Sequence, residues 1–131
     1  MKILSVDFGT KKIGLAFSCG YLAEPLKTLD FINYQKTAAV IAKIIQEKQI
    51  NKVILGIPEG KLKEKSQLLA QEIKKDVNIP IVLYDETLTS VEAREKLKET
   101  KKSWRKRKEQ EHEFAACLIL QEYLDCHNNN C

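Results

Sequence analysis

Residues 2–18 read KILSVDFGTKKIGLAFS. Lys2 to Val6 is a short apolar run rich in β-formers, and it stops at Asp7-Phe8-Gly9-Thr10, where glycine permits a turn. Ile13 to Ser18 resumes strand character after only a few residues. A first strand therefore ends on a carboxylate and is followed closely by a second. Cys19-Gly20-Tyr21 leads on to a third short stretch, Leu26 to Leu29, and three antiparallel strands in sequence are the simplest account.

Outward from this meander the period changes. Between Tyr34 and Gln49 the residues Ala38, Ile41, Ala42, Ile44 and Ile45 recur at helical spacing, with Asn33 as a candidate N-cap. Val53 to Gly56 is a short, wholly apolar strand, as a buried central position requires. A second helix fits Lys63 to Asp76. Ile79 to Tyr84 reads as a fifth strand, and it too runs into acids, Asp85 and Glu86. Thr89 or Ser90 can cap a helix through Lys98, with Glu92 completing a capping box from Thr89. A last helix from Glu109 to Asp125 carries Phe114, Ala115, Cys117, Leu118, Leu120 and Leu124. This order predicts one α/β domain over residues 1–126, with residues 127–131 as a C-terminal tail.

The chain has 131 residues, 44% hydrophobic and 31% charged, which suits one core rather than two. Its formal net charge is +4. The run from Lys101 to Lys108 holds six cations and no anion, more than the whole excess, so the basicity is one local patch. No run of about 18 apolar residues offers a membrane span, and the N-terminus does not read as a signal peptide. The expectation is a cytoplasmic protein without membrane contact. Cys19, Cys117, Cys126 and Cys131 form no C-x-x-C pair, and their spacing matches neither a disulfide framework nor a zinc ribbon.

Chemistry is expected where two strands end on carboxylates. Open α/β sheets place ligands at the C-terminal strand edge, and if the first and fifth strands lie adjacent or one apart, Asp7 and Glu86 converge across 79 residues. Converging carboxylates repel unless a cation neutralises them, and hard oxygen donors without nearby Cys or His favour Mg²⁺ or Mn²⁺. Acids after strands also cap helices or sit in solvated loops, and spacing alone leaves both readings open.

Val6 to Ala16, then Leu55-Gly56-Ile57-Pro58, then Tyr84-Asp85-Glu86-Thr87-Leu88-Thr89-Ser90-Val91-Glu92-Ala93-Arg94, and finally Ala115-Ala116 with Ile119 to Leu124, resemble the YqgF (RuvX) family in order and across nearly the whole chain. The D-F-G-T-K start is shared with actin-like sugar kinases, but D-E-x-x-[ST]-[ST]-x-E-A is specific. The resemblance implies a ribonuclease-H-like fold: a mixed five-stranded sheet with helices on both faces, related to the RuvC junction resolvases. It also implies a metal-dependent nuclease that matures the 5′ end of 16S rRNA or resolves Holliday junctions, with Asp7 and Glu86 as metal-binding catalytic acids.

Two departures from the family pattern stand out. A third acid, normally an Asp at the start of the final helix, aligns with His112, flanked here by Glu111 and Glu113. His112 or Glu113 is therefore the candidate for the third catalytic position, although a histidine at a helix start also serves as a plain capping residue. After Pro58, where the family carries an N-M-D-G-type loop, only Glu59-Gly60-Lys61 and a short charged stretch remain.

Beside a phosphodiester site the basic run acquires a role. Lys101, Lys102, Arg105, Lys106, Arg107 and Lys108 can track phosphates, and Trp104 can stack on an unpaired base; the same run also fits a solvated loop. The expected partner is nucleic acid, precursor rRNA ahead of a DNA junction, for a monomer or a homodimer. The alternative is a noncatalytic RNA-binding module that kept the fold and lost cleavage.

Overall fold

A computed structural model describes residues 1–8, 11–57, 62–85 and 111–128. In chain order these form β1 (Ile3–Phe8), β2 (Lys12–Ser18), β3 (Ala23–Asp30), α1 (Tyr34–Lys48), β4 (Lys52–Ile57), α2 (Leu62–Asp76), β5 (Ile81–Asp85) and α3 (Glu111–Asn128). The five strands make one sheet in the order β3-β2-β1-β4-β5. β1 pairs antiparallel with β2 and parallel with β4, β2 antiparallel with β3, and β4 parallel with β5. The mixed five-stranded sheet that the family resemblance implies is thus present. Its parallel half is the part that needs crossovers, supplied by α1 and α2.

Side-chain alternation along β1 sends residues to two different cores. Leu4, Val6 and Phe8 join Leu15 and Leu55 against Ile41 and Ile45 of α1 and Leu69 and Ile73 of α2. On the opposite face Ile3, Ala16 and Ile54 pack against Ala116, Ile119, Leu120 and Tyr123 of α3. Helices therefore cover both faces, and the apolar content of β1 and β4 on both sides follows from that.

Small residues let α3 lie close to the sheet. β2 turns Gly14, Ala16 and Ser18 towards it, β1 turns Ser5, and the helix answers with Ala115 and Ala116, all of them buried. The Ser5 hydroxyl donates to the Ala116 carbonyl at 2.9 Å. Gln121 fastens the same helix to the β2–β3 turn: its Oε1 accepts from the Ala23 amide at 2.8 Å and its Nε2 donates to the Tyr21 carbonyl at 3.1 Å.

Several boundaries differ from the sequence expectation. β1 continues through Asp7 to Phe8, because the ladder with β2 persists to Phe8↔Ile13. β3 is longer than Leu26 to Leu29, and its pairing shifts at Leu15/Ala16, so Leu26 and Leu29 both reach the α1 side. Such a bulge breaks the two-residue period that marks a strand. β5 begins at Ile81 rather than Ile79: Pro80 has no amide to donate, and its carbonyl accepts from Val53 at 3.0 Å just before the ladder starts. α3 runs through Asn128, three residues beyond the expected end at Asp125. Asn33 caps α1 as expected, accepting from the Lys36 amide at 2.8 Å. Gln49 ends that helix in the left-handed region at φ 55°, with the Ile50 amide returning to Ile45 at 2.9 Å. The helix expected from Thr89 or Ser90 to Lys98 lies outside the described residues.

Candidate active site

The sheet register aligns five residues in one row on the α3 face: Thr28, Gly14, Asp7, Gly56 and Tyr84. Asp7 is half-buried in the middle. Both of its ladder neighbours are glycines, so no side chain from an adjacent strand stands directly beside its carboxylate. Opposed side chains on one sheet face otherwise start only about 5 Å apart.

β5 lies one strand from β1, with β4 between them. The placement that convergence of Asp7 with the acids after Tyr84 requires is therefore met at the level of topology. Asp85 closes β5 opposite Ile57. Glu86 lies outside the described residues, as does the basic run with Lys101, Lys102, Trp104, Arg105, Lys106, Arg107 and Lys108.

α3 runs antiparallel to β1: Ala116 sits on Ser5, while Tyr123 and Leu124 reach the Ile3 end. Its first turn consequently lies towards the Asp7 end of the strand. Position 112 falls in that turn, four residues before Ala116 and so on the same helix row. Glu113 is half-buried, and its carboxylate accepts a hydrogen bond from Thr28 Oγ1 at 3.3 Å. That contact directs Glu113 to β3, two strands from Asp7.

Asp7 is the one carboxylate of this row, and its oxygens are hard donors of the kind that divalent cations take. The described cysteines lie elsewhere: Cys19 is exposed in the β2–β3 turn, and Cys117 and Cys126 are on α3. Burial pushes the Cys117 thiol up, with Glu24 adding to the shift, which keeps it protonated. Among the described residues no group of three or more His, Cys, Asp or Glu is arranged to hold a metal.

Three features of this edge escaped the sequence reading. Gly14 and Gly56 flank Asp7, Thr28 meets Glu113, and Tyr84 reaches α3, where its ring packs edge-on to Tyr123 with centroids 6.4 Å apart. Gly14, Gly56 and Tyr84 lie inside the blocks that carry the family resemblance, but nothing in their spacing announces a shared row. Glu122 takes a hydrogen bond from Tyr84; burial raises its carboxyl above the ordinary glutamate value, and that hydrogen bond opposes the rise.

Comparison with known proteins agrees with this geometry. Residues 1–126 match the family described as RuvX, Holliday junction resolvase. A protein of Oceanobacillus iheyensis provisionally named pre-16S rRNA nuclease is 39% identical over 135 residues, covering 95% of this chain and 98% of its own. A Thermoanaerobacter pseudethanolicus protein with the same provisional name is 38% identical over 138 residues, covering 98% of this chain and 99% of its own. Among solved structures, Thermus thermophilus RuvC bound to a Holliday junction superposes with a TM-score of 0.64 at 9% identity, over 100% of this chain and 98% of that one. The fowlpox virus Holliday junction resolvase does so with a TM-score of 0.64 at 14% identity, over 97% and 99%. At these identities the two structures establish the shared fold.

Proposed function

The chain belongs to the RuvX family, and from that premise we propose that it is a metal-dependent endonuclease that trims the 5′ end of precursor 16S rRNA. The observation that carries this reading is the seat of Asp7. It stands at the C-terminal end of the central strand, between two glycines, on the face that α3 covers. Neither ladder neighbour puts a side chain beside that carboxylate, a hard oxygen donor of the kind divalent cations take.

In this reading Asp7 and Glu86 hold the cation, Mg²⁺ or Mn²⁺. When bound, the cation activates a water and stabilises charge on the leaving oxygen. His112 takes the third position. Two things favour it over Glu113: it shares a helix row with Ala116, which is seated on Ser5, whereas Glu113 is engaged by Thr28. Lys101, Lys102, Arg105, Lys106, Arg107 and Lys108 grip phosphates, and Trp104 stacks on an unpaired base. Among the described residues no helix is long and apolar enough to cross a membrane, and we place the protein in the cytoplasm with its rRNA.

A second substrate, the four-way DNA junction, is favoured by the family description and by the resolvase fold. Symmetric cutting of two strands needs two copies of the site, whereas trimming one RNA end needs one. Presenting 5′-extended 16S rRNA fragments and four-way junctions in one reaction separates the two. Cleavage of the RNA by a monomer supports the proposal. Paired nicks in the junction by a dimer, with the RNA left intact, overturn it in favour of the resolvase.

A further inference from the structure

β5 is a five-residue edge strand held from its two faces by different side chains. Ile81 packs into the layer of α1 and α2. Tyr84 is, among the described residues, the side chain of β5 that packs into the α3 layer. Its ring meets Tyr123 at 87° with centroids 6.4 Å apart, and its hydroxyl serves the neighbouring Glu122 carboxylate. Tyr123 is itself anchored to the adjacent strand: Lys52 Nζ donates to its hydroxyl at 2.9 Å and lies 5.6 Å from its ring centroid. Gly56, the ladder neighbour of Tyr84, puts no side chain in the way of this lean towards the helix.

In the sequence Tyr84 is followed at once by Asp85 and Glu86. A strand end at the edge of a sheet has ladder partners on one side only, so its height above the sheet is set by what it docks on. We propose that Tyr84 is a positioning residue for the cation: docked on Tyr123 and Glu122, it sets the position of the end of β5 relative to Asp7. This inference rests on the metal reading above. Outer contacts that orient ligands affect metal affinity by about 10 to 100-fold, whereas a purely structural tyrosine affects stability and leaves the affinity of the folded protein alone.

The test is Mn²⁺ affinity, read by electron paramagnetic resonance well below the melting temperature of each protein. Wild type, Tyr84→Leu, Tyr84→Phe, Glu122→Gln and Asp7→Asn are compared. Tyr84→Leu is expected to weaken Mn²⁺ about tenfold, and Tyr84→Phe, which keeps the ring on Tyr123, to weaken it less. Glu122→Gln, which keeps an acceptor oxygen for the tyrosine, is expected to hold wild-type affinity. If Tyr84→Leu does not fold, Tyr84→Phe decides. Unchanged affinity in the folded tyrosine variants, with Asp7→Asn impaired, overturns the positioning role and leaves the metal reading standing. A wild type that binds Mn²⁺ no better than Asp7→Asn overturns both.

Discussion

Ser5 and Ala116, 111 residues apart in the chain, are joined by a 2.9 Å hydrogen bond from the serine hydroxyl to the helix carbonyl. Ser5 is fully buried and lies two residues before Asp7 on the same face of β1. The bond therefore registers α3 against the strand that carries the candidate catalytic acid.

Removing that bond should cost stability in a graded way. Ser5→Ala is expected to lower the unfolding free energy by about 1 kcal/mol, the net worth of a neutral hydrogen bond. Ser5→Val should cost more, about 1 to 3 kcal/mol, because added carbons push α3 off a surface built of small residues. Urea unfolding of both variants checks the order; a Ser5→Val protein as stable as wild type would show that the close approach is unnecessary.

Glu122 sets a pH dependence whose sign follows from its burial. Its folded-state carboxyl is raised above the ordinary glutamate value by burial, partly opposed by the Tyr84 hydrogen bond. The folded state thus binds the proton more readily than the unfolded chain, and the group's contribution to stability falls as pH rises through the interval between the two values. Relative to wild type, Glu122→Gln should gain stability across that interval and change no further above it. In Tyr84→Phe the Glu122 carboxyl should titrate higher still. Urea unfolding at a series of pH values reads the first effect and carbon-detected NMR titration the second, and a downward shift in Tyr84→Phe would contradict the assignment.

The two candidates at the start of α3 separate cleanly. Glu113 is already engaged by Thr28, so Glu113→Gln is expected to leave cleavage within about threefold of wild type, while His112→Ala should lose about 10 to 100-fold. A histidine must shed its proton to bind a metal, so His112→Asp should retain or raise cleavage and relieve inhibition at acidic pH. Loss of cleavage in Glu113→Gln with His112→Ala unaffected would exchange the two roles.

Much of this arrangement was legible in the sequence, and the parts that were not have physical reasons. β1 and β4 are legible as apolar runs because both of their faces are buried, and α1 as a helical period because it buries one stripe. β3 is only partly legible because its bulge turns both Leu26 and Leu29 to one side and because Glu24, Pro25 and Lys27 occupy an exposed edge. Asp7 was legible because it ends an apolar run. The glycines beside it were not, since Asp7↔Gly14 and Asp7↔Gly56 are facts of register, which a single strand does not encode. Thr28 and Glu113 are 85 residues apart, and no local pattern links them.

The basic run from Lys101 to Lys108 makes a prediction independent of the metal. Neutralising Arg105, Lys106 and Arg107 together should weaken RNA binding and flatten its salt dependence, by about 0.7 in logarithmic slope for each lost single-strand phosphate contact. Filter binding across a salt series measures it. An unchanged slope would reduce the run to a solvated loop.

The central claim, that Asp7 serves a metal-dependent nuclease site, is tested most directly by single-turnover cleavage of a 5′-extended 16S rRNA fragment as Mg²⁺ is titrated, for wild type and Asp7→Asn. Wild-type cleavage should rise to saturation with Mg²⁺ and vanish on chelation, with Asp7→Asn folded but inactive at every concentration. Cleavage that survives the chelator, or that persists in Asp7→Asn, would contradict the claim.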